Sequence, residues 1–117
     1  MKLKNNTGVA VFAYNRPSHL RRVLIALENY KVDELNIFLD GPKNKKDQIL
    51  QKEIKQTLKK NKYNKYIKLK INFSKKNKGL SKSINQGLDK LAKIYDHVLI
   101  LEDDCIPRKE LFYFINK

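Results

Sequence analysis

Long hydrophobic runs are missing from this chain. No apolar stretch approaches the length of a membrane span, and the N-terminal MKLKNNTG lacks the apolar core of a secretory signal. The expectation is a cytoplasmic chain, its membrane contact limited to peripheral attraction of lysines to anionic lipid at the inner face. Cysteine is nearly absent too. Cys105 stands alone, so no internal disulfide can form, and neither His19 nor His97 has partners at metal-ligand spacing. Zinc clusters and cysteine nucleophiles are thereby set aside. Arginine is scarce: of 26 basic residues, set against 12 acidic ones, only Arg16, Arg21, Arg22 and Arg108 are arginine. The formal charge of +14 invites a nucleic-acid reading, yet bidentate phosphate and base contacts favour arginine, and these lysines are scattered among Asn and Ile. Nucleic acid is not the expected partner. With 117 residues there is room for one domain with one modest core and not for two.

What is present is an alternation of short apolar runs and amphipathic stretches. Val9 to Tyr14 is β-prone and bounded by Gly8 and by Asn15-Arg16-Pro17. Ser18 is placed to cap a helix whose apolar positions are Leu20, Val23, Leu24 and Leu27, fading near Asn29-Tyr30. Asn36 to Asp40 is a second short strand, stopped by Gly41-Pro42. Strand, helix, strand with a right-handed crossover makes a parallel sheet. From Asn44 to Asn61 the stripe Ile49, Leu50, Ile54 and Leu58 predicts a lysine-rich second helix. Tyr66 to Phe73 alternates as an edge or half-exposed strand does, and Leu80 to Ile94, with Leu80, Ile84, Leu88 and Leu91 inward, predicts a third helix.

The fourth strand carries the strongest chemical signal. Val98-Leu99-Ile100-Leu101 reads as a strand buried on both faces, and it ends abruptly in Glu102-Asp103-Asp104. Adjacent carboxylates stay ionised together only where water, a cation or hydrogen-bond donors hold them. Oxygen ligands alone suit a hard divalent ion, Mg²⁺ or Mn²⁺, which in turn holds phosphate oxygens. In a parallel sheet all C-terminal strand ends share one edge, where open α/β sheets bind their ligands. Asn15-Arg16-Pro17, Asp40-Gly41-Pro42, the loop from Lys75 to Gly79, and Glu102-Asp103-Asp104 therefore converge on a single crevice.

Taken in order, YNRPSHLRRVLIAL, FLDGP, NKGLSKSINQGL and LILEDDCIP resemble the nucleotide-sugar-binding half of an A-type glycosyltransferase, of the family-2 or N-acetylglucosaminyltransferase-I kind. The resemblance runs from about Val9 to the last residue. It implies a three-layer α/β/α domain, Rossmann-like, with a mainly parallel four-stranded sheet in the order 3-2-1-4. It also implies roles for particular residues. Asp104 matches the acid of a D-x-D-type motif that binds the divalent cofactor bridging the donor phosphates, Asp103 the acid nearer the ribose, and Glu102 the motif's first position. Asp40 matches the acid that hydrogen-bonds the base; Tyr14, Asn15, Arg16 and Pro17 match the loop around base and ribose; Lys78 and Gly79 fall in a loop near the nucleotide. The implied ligand is a nucleotide-diphospho-sugar, a UDP-sugar foremost, and the implied reaction is sugar transfer to an acceptor such as a glycan or lipid-linked glycan.

The resembling enzymes continue with further strands and a helix that supply the acceptor pocket and, in inverting members, a carboxylate base. The expectation is thus a single donor-binding domain over residues 1–117 with the acceptor half absent and no catalytic residue identified. Two other readings compete: a non-catalytic nucleotide-sugar-binding or regulatory module, and, third, a basic RNA-binding module. Leu111, Phe112, Phe114 and Ile115 cannot all turn inward from one short helix, so an apolar patch that favours a homodimer or a complementing partner chain is expected there.

Overall fold

The computed structural model describes residues 3, 4, 6–61 and 67–116. Among them strands and helices alternate: β1 (Thr7–Ala13), α1 (Pro17–Asn29), β2 (Glu34–Leu39), α2 (Lys45–Asn61), β3 (Lys68–Phe73), α3 (Leu80–Leu91), β4 (His97–Glu102) and α4 (Lys109–Ile115). The four strands are parallel and ordered β3-β2-β1-β4, as the resemblance implied.

Alternation of side chains along the strands sorts the core onto two faces. Val9, Val11, Leu35, Ile37 and Leu39 meet Leu20, Val23 and Leu27 of α1, Ile54 and Leu58 of α2, and Phe112 of α4. Ala10, Phe12 and Phe38 face the other way, toward Ile84 and Leu91 of α3 and toward Tyr95. The result is the expected three-layer arrangement, with α3 the one helix among the described residues that covers the second face.

Several local readings change. Ser18 does not cap α1: Arg16 is the N-cap residue and makes no side-chain cap bond, while Pro17 occupies the first turn, where its missing N–H is no loss and its fixed φ suits the helix. Tyr14 lies beyond the end of β1, and β2 begins two residues earlier than expected and ends at Leu39, leaving Asp40 in the loop. Ile49 is 71 % exposed, because the inward stripe of α2 runs Asp47, Gln51, Ile54, Leu58 and so begins with two polar residues instead of the expected Ile49 and Leu50. Leu80 is likewise exposed, and α3 ends at Leu91, short of Ile94. The apolar run of β4 is only half-buried apart from Leu101, since among the described residues β4 pairs with β1 alone and is one of the sheet's two outer strands. Tyr66, read as the start of the third strand, lies outside the described residues. Of the C-terminal apolar group, Phe112 is buried against Tyr30, with ring centroids 5.4 Å apart, whereas Phe114 is exposed.

Register brings the loops to one level. Ala13 pairs with Leu39, Leu39 with Phe73, and Phe12 with Glu102. The last ladder bonds, Asp40 N–H to Ala13 O, Ser74 N–H to Leu39 O and Asp103 N–H to Phe12 O, carry this alignment into the loops themselves.

Candidate functional site

Four loops leave the aligned strand ends and enclose a crevice of about 270 Å³ over the stacked rings of Phe12 and Phe38, whose centroids are 4.9 Å apart. Of the ten residues singled out from the sequence, Tyr14, Arg16, Asp40, Gly79, Glu102 and Asp103 line it. Lys78 lines a neighbouring cavity of about 300 Å³ that shares Asp40 and Phe38, and its ammonium donates to Gln86 Oε1 at 2.5 Å. Asp104 faces a hollow of about 60 Å³ with His19, Arg22, Asp103 and Ile106. Pro17 is buried in the first turn of α1, and Asn15 turns to α2 instead of to the crevice.

Asp40 is the most heavily bonded of these residues. Its Oδ1 accepts from the backbone N–H groups of Gly41 (2.8 Å) and Lys78 (2.9 Å), and its Oδ2 from the N–H of Gly79 (3.0 Å) and from Asn77 Nδ2 (3.2 Å). Two bonds to each oxygen use the full acceptor capacity of a carboxylate. Asn77 Nδ2 also donates to Gly41 O at 2.8 Å. The two loops are pressed together so closely that a Cβ at Gly41 would lie 2.3 Å from the carbonyl carbon of Lys76. Gly79 has φ +84, a left-handed conformation that glycine adopts without cost, and this turns the chain into α3.

The opposite wall is held by two residues of α2 that sequence reasoning missed. The buried carboxylate of Asp47 accepts from the hydroxyl of Tyr14, from Asn15 Nδ2 (3.0 Å) and from the N–H of Lys43 (3.0 Å). Gln51 Nε2 donates to Tyr14 O (2.9 Å) and Asp40 O (2.7 Å). Burial, and then the bond to Asp47, push the Tyr14 phenol up to about 12, while that same bond holds the Asp47 carboxyl below its ordinary range. The only signal in the sequence was position: Asp47 and Gln51 continue the spacing of Ile54 and Leu58 toward the strand ends.

The three acids after β4 divide between two tasks. Asp103 is buried, and Arg16 bonds it at 2.9 Å while lying 3.6 Å from Asp104. Burial pushes the Asp103 carboxyl up; the Arg16 guanidinium opposes that shift, and the neighbouring Asp104 adds to it. Ligand atoms of Glu102, Asp104 and Cys105 lie within 4.8 Å of one another. Two carboxylate oxygens at an exposed corner fit a hard divalent ion that keeps positions for water or phosphate. The Cys105 thiol donates to Asp104 Oδ1 at 3.6 Å, and this bond, with burial second, raises it, so it stays a thiol at neutral pH.

Comparison with known proteins agrees with this arrangement. The chain matches Glycosyl transferase family 2 over residues 8–113. Nothing supports the N-acetylglucosaminyltransferase-I side of the resemblance. Neither the curated proteins nor the solved structures give a match. A parallel sheet in the order 3-2-1-4, a loop cluster at its C-terminal edge and a family match spanning both lead to one conclusion: the chain belongs to glycosyl transferase family 2 and is a glycosyltransferase domain.

Proposed function

We propose that the crevice binds a nucleotide-diphospho-sugar, a UDP-sugar foremost, together with Mn²⁺ or Mg²⁺, for transfer of the sugar to a glycan or lipid-linked glycan acceptor. The observation that carries this reading is the convergence of residues from four separate loops on one cavity beside an acidic corner. Glu102 and Asp104 would hold the ion, which when bound supplies Lewis-acid stabilisation of the leaving diphosphate. Arg16 stands beside the same corner and is placed to offset phosphate charge, while Asp103 fixes its guanidinium. Asp40, its acceptor positions filled, contributes through the Asn77–Gly79 backbone it anchors; a contact with the base would have to displace one of those bonds.

A second observation favours the non-catalytic reading as the alternative. Among the described residues the carboxylates that line the crevice are Asp40, Glu102 and Asp103, each already given a binding or structural task. A base for acceptor activation would come from outside these residues, including from a partner chain. The third reading, RNA binding, has no such support from the site. A cytoplasmic location with peripheral membrane contact belongs to the same proposal; among the described residues no helix is long and apolar enough to cross a membrane.

Calorimetric titration with UDP and with GDP, each with and without Mn²⁺, tests the reading. UDP should bind in Mn²⁺, and Asp104→Asn should abolish the metal-dependent part with the fold intact, because an amide is a poor ligand for a hard cation. Affinity unchanged by Asp104→Asn would overturn the ion's assignment, and the absence of nucleotide binding under every condition would overturn the donor site.

A further inference from the structure

Packing leaves the β3 side of the sheet's second face open. Gly87 brings α3 so close to the sheet that a Cβ there would lie 2.8 Å from the ring of Phe12 and 3.3 Å from that of Phe38. β3, an outer strand, stays half exposed. Between β3 and α3 lies the cavity of about 300 Å³, which shares only Phe38, Asp40 and Ser83 with the crevice. Its charge is unbalanced. Lys78 and Lys90 line it, and neither has an ion-pair partner among the described residues. Lys78 donates to Gln86 Oε1 at 2.5 Å and Lys90 donates to Asn72 Oδ1, so each ammonium rests on a neutral amide. The one carboxylate in the lining is Asp40, whose oxygens are already filled by backbone and Asn77 donors. A third ammonium, that of Lys55, lies 5.1 Å from the ring centroid of Phe73, which forms one wall. Ser83 stands one turn before Gln86 and two before Lys90 on the same helix face, and its hydroxyl has no hydrogen bond among the described residues. The resemblance places Lys78 near the nucleotide, but it lines this cavity and not the crevice.

We propose that this cavity is a second ligand site, for a small phosphomonoester distinct from the donor. An ammonium resting on an amide oxygen keeps its charge uncompensated, and an oxyanion arriving there supplies Coulomb attraction that the amide does not. A phosphomonoester carries close to two negative charges at neutral pH and three acceptor oxygens, enough for both ammonium groups and the Ser83 hydroxyl. The cavity is of small-ligand size, larger than a phosphate group alone requires, and Phe38 and Phe73 offer an apolar wall to the organic part. The N–H of Lys78 bonds Asp40, so a ligand here touches a loop that also walls the crevice. The site itself does not depend on the donor reading.

The test is an amide chemical-shift titration, without nucleotide or metal, using inorganic phosphate, phenyl phosphate and benzoate. Both phosphates should shift Asn72, Ser83, Gln86 and Lys90 and leave Glu102 to Cys105 unmoved. Phenyl phosphate should bind more tightly than inorganic phosphate, which lacks the ring, and than benzoate, which has the ring but one charge. Lys90→Ala should lower phenyl phosphate affinity about fivefold, the upper end for an exposed ion pair, while Lys109→Ala, the same charge change on α4, should lower it less than about twofold. Equal losses would show general charge screening and overturn the proposal. So would the absence of saturable binding, benzoate binding as tightly as phenyl phosphate, or shifts centred on Arg16 and Glu102 to Cys105, which would assign the phosphate to the donor site. A final arm adds UDP and Mg²⁺, which should leave phenyl phosphate in place; displacement would make the cavity part of the donor site and overturn its independence. Because the first arms contain no nucleotide, a failure there is separate from a failure of the donor reading.

Discussion

Asp40→Asn separates a residue that touches nucleotide from one that builds the site. The wild-type carboxylate accepts four hydrogen bonds, from Gly41, Lys78, Gly79 and Asn77. An asparagine in the same place accepts two at most, and its amino group faces two N–H donors that keep their desolvation penalty. Hydrogen bonds to a charged acceptor contribute about 1.5–3 kcal/mol each, so losing two costs about 3–6 kcal/mol. All the donors belong to the Gly41 turn or the loop before α3, so the cost falls on that loop. Its opening free energy drops by the same amount, and amide exchange at Lys78 and Gly79 should accelerate by roughly two to four orders of magnitude. Hydrogen–deuterium exchange resolved to peptides spanning 74–80 measures this in the ligand-free protein. Nucleotide affinity should fall together with loop protection, by a similar factor for UDP and GDP. The reasoning fails if loop exchange is unchanged while affinity for one base alone is lost, since Asp40 would then act by direct contact.

Three further predictions rest on neighbouring geometry. Asp47→Asn should bring Tyr14 down from about 12 toward 10 in a spectrophotometric titration, though not all the way, because burial is the larger cause; a Tyr14 ionisation that stays at about 12 refutes the assigned bond. Since the folded protein favours the neutral phenol, this contribution to stability is complete below pH 10 and is lost as pH rises through about 12. Arg16→Gln should destabilise the fold by about 1–3 kcal/mol at neutral pH, by leaving buried Asp103 without its cation. Burial already raises Asp103, so its ionisation costs stability as pH rises from the ordinary carboxylate range through the raised value; the substitution enlarges that cost, and urea melts should show the deficit shrinking as pH falls through the same window. A pH-independent deficit would refute the pairing. Gly41→Ala places a Cβ against the Lys76 carbonyl and should cost about 1–3 kcal/mol with faster exchange in the same loop; a neutral effect in urea melts would contradict the close approach.

The parallel sheet, the convergence of four loops and the acidic corner were legible because each rests on periodicity, on residue type at a strand end, or on order along the chain; the strand order 3-2-1-4 came from the family resemblance. Partners were not legible. Asp40 announced itself as an acid at a strand end, but nothing in FLDGP says that its oxygens are filled by a loop 37 to 39 residues away. Asp47 and Gln51 stayed hidden because a polar residue on an inward stripe looks like a break in that stripe, and Ile49 was drawn in to mend it although it lies about a hundred degrees around the helix from Leu50. The apolar run of β4 suggested a strand covered on both faces; composition reports that a strand is apolar, not how many neighbours it has.

The central claim is that one nucleotide diphosphate and one divalent ion meet at the edge formed by these four loops. Paramagnetic broadening of amide resonances by Mn²⁺ in the presence of UDP locates the ion directly. The account predicts that the signals of Glu102 to Cys105 broaden first and those of Arg16 and Gly79 next, with Mn²⁺ alone much less effective, while Asp33 and Asp96 at the far edge stay sharp. Broadening centred away from the Glu102–Asp104 corner, or none with UDP present, would contradict it.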